Sequence, residues 1–108
     1  MILYGIPTCD TCRKARKTLE AAGQDVSFRD IRAEPLTAEE RTRFIEAFGE
    51  ALLNRRSTTW RQLSEDERAG EADGLLAAHP TLMKRPVLSD GAKLTLGWDA
   101  KAQAAWIG

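Results

Sequence analysis

The sequence holds a single histidine, a single tyrosine and only two cysteines in 108 residues, and each scarcity closes off a class of protein. A structural zinc site takes about four ligands. Two thiols and one distant imidazole, His79, do not supply them, so a metal site is not expected. A disulfide scaffold needs cysteines spread along the chain. Here both lie in Cys9-Asp10-Thr11-Cys12, where a bridge closes a tiny loop and removes little entropy from the unfolded chain. An excess of charge is missing as well, because sixteen Lys and Arg balance sixteen Asp and Glu. A protein that neutralises many phosphates carries surplus cations, so direct nucleic-acid binding is not expected. Long apolar runs are absent too. Met1-Ile2-Leu3-Tyr4-Gly5-Ile6 is halted by Pro7 and has no cation before it, which reads as neither signal peptide nor membrane anchor. The expectation is a cytoplasmic protein without a membrane partner.

What is present suffices for one core. An apolar fraction of 43% over 108 residues supports a single domain, 1–108, and two cores would each be too small. Ile2 to Tyr4 read as a short buried strand, and Pro7-Thr8 as a turn. From about Asp10 to Ala22 the spacing is helical, with Cys12, Ala15, Leu19 and Ala22 on one face and Gly23 as the terminator. Asp25 to Ile31 alternate in polarity around Val26 and Phe28, as a second strand does. Strand, helix, strand makes a βαβ unit with parallel strands.

A mostly helical segment of about 36–80 follows. Thr37-Ala38-Glu39-Glu40 is a capping-box signature before Phe44, Ile45 and Phe48, and Ser64-Glu65-Asp66-Glu67 repeats it. Leu75-Leu76-Ala77 predict a short helix ending before Pro80. Val87-Leu88 and Lys93 to Leu96, joined by Ser89-Asp90-Gly91-Ala92, predict a hairpin. Asp99 can cap a last helix running to Ile107. With the middle helices as an insertion, βαβ followed by ββα is an α/β, thioredoxin-like fold: a four-stranded mixed sheet covered by helices. In that fold a CxxC at the first β-to-α turn is where the reactive thiol sits.

Cys9 is the candidate nucleophile. At a helix start it meets unpaired backbone N–H groups and the positive end of the dipole, both of which favour thiolate over thiol. Arg13, Lys14, Arg16 and Lys17 add positive potential, and Asp10 opposes it. Cys12, one turn on, is placed to attack an adduct on Cys9 and release it as an intramolecular disulfide. Lys84-Arg85-Pro86 precedes the third strand, where Arg85 can grip an anion through its guanidinium fork. Asn54-Arg55-Arg56-Ser57-Thr58-Thr59-Trp60-Arg61 is either a solvated cationic loop or a source of an arginine for the thiol pocket. His79 reads as structural, and Trp98 and Trp106 as core anchors. The Cys-x5-Arg loop of phosphatase-type arsenate reductases is absent: that spacing from Cys9 falls on Ala15.

Leu3-Tyr4-Gly5 through Cys9-Asp10-Thr11-Cys12-Arg13-Lys14-Ala15-Arg16, then Leu52-Leu53-Asn54-Arg55-Arg56-Ser57-Thr58-Thr59-Trp60, then His79-Pro80 with Lys84-Arg85-Pro86, then Leu96-Gly97-Trp98 together resemble the ArsC/Spx family of thioredoxin-fold proteins. The resemblance implies Cys9 as nucleophile, Arg85 as anion ligand, Pro86 as a cis proline, and Arg56 as a second arginine of the anion site. It also implies a choice of function. Glutathione- and glutaredoxin-dependent arsenate reductases use three arginines, and Asn54 and Leu96 stand at two of those positions here. Spx-type members bind the C-terminal domain of the RNA polymerase α subunit, and their CxxC acts as a redox switch. Small bacterial relatives, which the Leu-Leu-Asn-x-Arg-x-Thr-Thr-Trp-Arg stretch is most similar to, imply a glutathione-dependent thiol reductase. The expectation is therefore a monomeric thiol-dependent reductase without a bound cofactor, with glutathione or glutaredoxin as reductant and an oxyanion or disulfide as substrate. The polymerase-binding regulator is the alternative.

Overall fold

The computed structural model describes residues 1–107. Its elements run β1 (Ile2–Gly5), α1 (Asp10–Ala21), β2 (Ser27–Asp30), α2 (Ala38–Phe48), α3 (Thr58–Gln62), α4 (Glu65–Arg68), α5 (Ala72–Ala78), β3 (Val87–Ser89), β4 (Leu94–Leu96) and α6 (Ala100–Ile107). Short 3-10 turns occupy Gly49–Leu52 and Pro80–Leu82. The chain forms two compact units, one from Met1–Ile31 together with the segment from Arg85 onward, the other from Arg32–Lys84.

The first unit carries the sheet, in the order β2-β1-β3-β4. β1 runs parallel to β2 and antiparallel to β3, and β3 and β4 form the hairpin. This is the four-stranded mixed sheet of a thioredoxin-like α/β fold. The register builds its core. Phe28, Leu3, Leu88 and Thr95 lie side by side across the four strands, and the period of two puts them on one face. Leu3 and Leu88 are fully buried there with Cys12, Ala15 and Leu19 of α1 and with Trp106 of α6, while Phe28 and Trp98 pack at the margin. The Trp106 indole N–H donates to Thr95 Oγ1 at 2.7 Å, so the ring brings its polar atom to a partner.

Local chemistry sets the ends of these elements. After α1, Gly23 takes φ +88°, its N–H donates to Glu20 O and the Gln24 N–H donates to Leu19 O, which is the paired-bond closure a left-handed glycine allows. Ala22, expected on the buried face, is exposed because it is already the C-cap. β2 is shorter than Asp25 to Ile31: β1 offers only four partners, and the ladder closes with Ser27 N–H on Met1 O and Ile31 N–H on Gly5 O. Lys93 falls outside β4 because its N–H donates to Asp90 Oδ1 at 2.7 Å within the turn, and Ser89 belongs to β3 rather than to that turn. Asp99 Oδ1 accepts the Ala102 N–H at 2.9 Å and caps α6.

The second unit contains the predicted helices. Thr37 and Glu40 exchange both bonds of a capping box at the start of α2, as do Ser64 and Glu67 at α4. Phe44 is fully buried, Ile45 and Phe48 half-buried, and Gly49 (φ +57°) ends the helix. The stretch read only as a cationic segment contains a helix, α3, begun by Ser57, whose Oγ accepts the Trp60 N–H at 3.1 Å. Trp60 is flanked by the Arg55 and Arg68 guanidinium groups at 5.5 and 5.6 Å from its ring centroid.

Leu88→Ala should lower stability by about 2–5 kcal/mol, and Thr37→Ala by about 1 kcal/mol, in chemical denaturation. Equal losses would contradict the placement of Leu88 in the main core.

Candidate active site

Ile6, Pro7 and Thr8 carry the chain from β1 into α1. The Cys9 N–H donates to Ile6 O at 3.1 Å, and the Cys9 carbonyl accepts the Arg13 N–H at 3.0 Å. Cys9 is thus the N-cap of α1, with an extended backbone (φ −84°, ψ 117°). It is half-buried, while Cys12, three positions later on the inner face of the helix, is fully buried. No disulfide joins them. The antiparallel register pairs Tyr4 with Val87, so Arg85 and Pro86, just before β3, come alongside the chain just after Tyr4. The Arg85–Pro86 bond is cis, as the resemblance implies. The Pro86 carbonyl accepts the Gly97 N–H at 2.8 Å, and Gly97 holds φ +81° there.

The two sulfurs sit in opposite electrostatic situations. Burial is the largest influence on Cys9 and pushes its thiol up. The Cys12 backbone N–H, the Cys12 thiol and the Arg85 guanidinium act against it and together hold Cys9 below the ordinary thiol range. The Cys9 side chain makes no capping hydrogen bond of ordinary geometry, so the helix terminus acts on its sulfur through oriented N–H dipoles rather than as a closed cap. For Cys12, burial dominates and the neighbouring Cys9 adds to it. A hydrogen bond with the Ile6 backbone, the next largest influence after burial, and Arg85 act against it without cancelling it, and the thiol is pushed up to about 12. Cys9 is poised to ionise while Cys12 keeps its proton and serves as donor.

The helical cations contribute less directly than the sequence suggests. Arg13 pairs with Asp10 on the exposed surface, which also neutralises the opposing carboxylate. Arg16 reaches Glu20 at 3.5 Å and lies 5.5 Å from the Phe28 ring centroid. The guanidinium acting on Cys9 is that of Arg85.

Cys9, Cys12, Arg85 and Pro86 are brought together in the first unit. Arg56 belongs to the second, where it is exposed and its N–H donates to Asn54 Oδ1 at 3.1 Å. With Ala51, Leu53, Asn54, Arg55 and Lys84 it lines a cavity of about 520 Å³. Arg55 there is ion-paired with Glu50. His79 stands 3.7 Å from Glu67 in an ion-pair position. Among the described residues no group of three or more His, Cys, Asp or Glu side chains could hold a metal, and no helix is long and apolar enough to cross a membrane. Two site residues were not singled out from the sequence, Gly5 and Gly97. A glycine inside a strand marks close approach of a neighbour, and that was the available signal for Gly5.

A half-buried cysteine at the N-terminus of the first helix, beside a cis proline, defines a thioredoxin-like protein of the CxxC type. The chain belongs to the ArsC family, which it matches over residues 4–105. It is 36% identical over 108 residues to an uncharacterized protein of Haemophilus influenzae, covering 95% of each. The solved structure of an arsenate reductase (ArsC) related protein from Brucella melitensis is 43% identical, with a TM-score of 0.75 over 97% of this chain and 92% of that one. The structure of the YFFB protein matches with a TM-score of 0.87 at 34% identity, over 99% and 98% of the two chains. Global transcriptional regulators named Spx are more distant relatives.

Arg85→Gln removes the cation facing the thiolate, so the Cys9 titration should move up and alkylation at neutral pH should slow by about 3–10-fold. The pH dependence of iodoacetamide labelling measures this, and an unshifted profile would contradict the role given to Arg85.

Proposed function

We propose that this ArsC-family protein is a cytoplasmic thiol-dependent reductase, with Cys9 as nucleophile and glutathione as reductant. The observation that carries the reading is a cysteine at a helix N-terminus whose ionised form is favoured by a thiol donor and a guanidinium. The Cys9 thiolate attacks one sulfur of a disulfide, forms a mixed disulfide and expels the other sulfur as a thiolate that takes a proton. A glutathione thiolate then attacks the substrate-derived sulfur of that adduct, regenerates the Cys9 thiolate and leaves as the new disulfide. A second glutathione thiolate exchanges with that product, freeing the substrate-derived sulfur as a thiolate and leaving glutathione disulfide, so two glutathione thiols supply the two electrons that reduce the original disulfide to two thiols. Arg85 steadies the sulfur that carries charge in each step. Cys12, protonated and buried, acts first as hydrogen-bond donor; its attack on the adduct, giving a Cys9–Cys12 disulfide, is the alternative route of resolution.

A disulfide suits this site better than a dianionic oxyanion. By the family resemblance Asn54 and Leu96 stand at two positions where arsenate reductases carry arginine, while Arg85 supports the ionised form of Cys9. Within the second unit, the cavity lined by Arg56 and Lys84 suits an anionic group, in line with the anion-binding part that the family resemblance gives Arg56. The second reading, a redox-sensitive regulator binding the C-terminal domain of the RNA polymerase α subunit, is supported by the Cys9-x-x-Cys12 motif and the Spx relatives.

A steady-state assay with glutathione and several acceptors, arsenate and mixed disulfides among them, tests the reading. Cys9→Ser should abolish turnover, disulfides should outpace arsenate, and Arg56→Ala should raise KM several-fold with little change in kcat. Equal rates for wild type and Cys9→Ser would remove the enzymatic reading. Retention of the polymerase domain that changes between reducing and oxidising conditions, without turnover, would establish the regulator instead.

A further inference from the structure

We propose that Gly5 is a positioning residue for the nucleophile: the absent side chain at the end of β1 is the space in which the Cys12 sulfur sits, and this seat aims the Cys12 thiol at Cys9. A Cβ placed on Gly5 would lie 2.5 Å from Cys12 Sγ, 3.1 Å from Leu3 Cδ2 and 3.3 Å from Cys12 Cβ, and the first distance is shorter than real Cβ contacts reach. Gly5 does not have a positive φ, unlike Gly23, Gly49 and Gly91, where a Cβ would meet nothing within 4 Å. Those three serve the backbone path. Gly5 serves the sulfur.

Neither side of the contact yields easily. The Gly5 carbonyl accepts the Ile31 N–H at 3.0 Å in the sheet ladder, and the first turn of α1 is closed by Arg13 N–H on Cys9 O. Leu3 and Cys12 are both fully buried in the same core. A methyl group at position 5 therefore rotates the Cys12 sulfur out of its seat or lifts the first turn of α1 from β1. Either movement weakens the donor that faces Cys9, so Gly5 acts on Cys9 through Cys12. A strand glycine is entropically unfavourable, and here the cost is offset by bringing the second sulfur up to the first.

The inference rests on reading Cys9 as the reactive thiol, but its test follows ionisation rather than turnover, so a failed reductase assay leaves the outcome intact. Iodoacetamide labelling of Cys9, located by peptide mass mapping, is measured against pH in wild type, Gly5→Ala, Cys12→Ala and the double variant. Gly5→Ala should shift the Cys9 profile upward and slow labelling at neutral pH by about 3–10-fold. Cys12→Ala should do the same, and the double variant should match Cys12→Ala, because without the sulfur the seat has nothing to hold. An unshifted profile in Gly5→Ala, or an equal additional slowing in the Cys12→Ala background, would overturn the proposal. If Gly5→Ala alone does not fold, the remaining variants decide. A folded double variant with the melting temperature of Cys12→Ala, together with slowed labelling in both, supports the seat. A double variant that also fails to fold, or a Cys12→Ala profile like that of wild type, overturns it.

Discussion

Support for a negative charge on a half-buried sulfur, Cys9, is the constraint around which the first unit is arranged. Removing a thiolate from water costs free energy, and by itself that cost would keep Cys9 protonated. Three features oppose it, and each comes from a different level of the structure. The helix start supplies oriented N–H groups, the three-residue spacing supplies the Cys12 thiol, and the pairing of β1 with β3 delivers Arg85. The position of β1 between β2 and β3 is what makes the last possible. A parallel partner on one side completes the βαβ unit that aims α1, and an antiparallel partner on the other brings the Arg85–Pro86 segment alongside.

Identical side chains in one tetrapeptide thus have unlike chemistry. Cys9 sits on the cap, half in water, with donors around it; Cys12 sits one turn inside, among Leu3, Ala15 and Leu19, where its charged form has little support. The asymmetry follows from helix geometry, since positions three apart share a face but descend toward the sheet. It suits the proposed division in which one sulfur attacks and the other lends a proton.

Much of the fold was legible because its signals are local. The capping boxes at Thr37 and Ser64, Gly23 after α1, the Asp90-Gly91 turn and Asp99 before α6 each name their element through one side chain or one glycine. Strand limits were less legible, since β2 is cut to the length of β1 by a partner far away in sequence. α3 escaped because five residues with a serine cap and no apolar period resemble a loop. In the site, Cys9 and Cys12 were visible as a motif, Arg85 as a guanidinium before the third strand and by family resemblance, and the cis Pro86 through that resemblance. Gly5 was not, because a strand glycine shows its purpose only when the atom that fills its place is known. The cations of α1 were given too large a part: Arg13 and Arg16 pair with Asp10 and Glu20 along the surface.

The most direct test of a thiolate at Cys9 beside a protonated Cys12 is an NMR titration of protein labelled with carbon-13 at the cysteine Cβ atoms, which follows each sulfur separately. The account predicts that the Cys9 signal shifts at a pH below the ordinary thiol range while the Cys12 signal stays in its protonated form until strongly alkaline pH. Two signals moving together through the ordinary thiol range would contradict it.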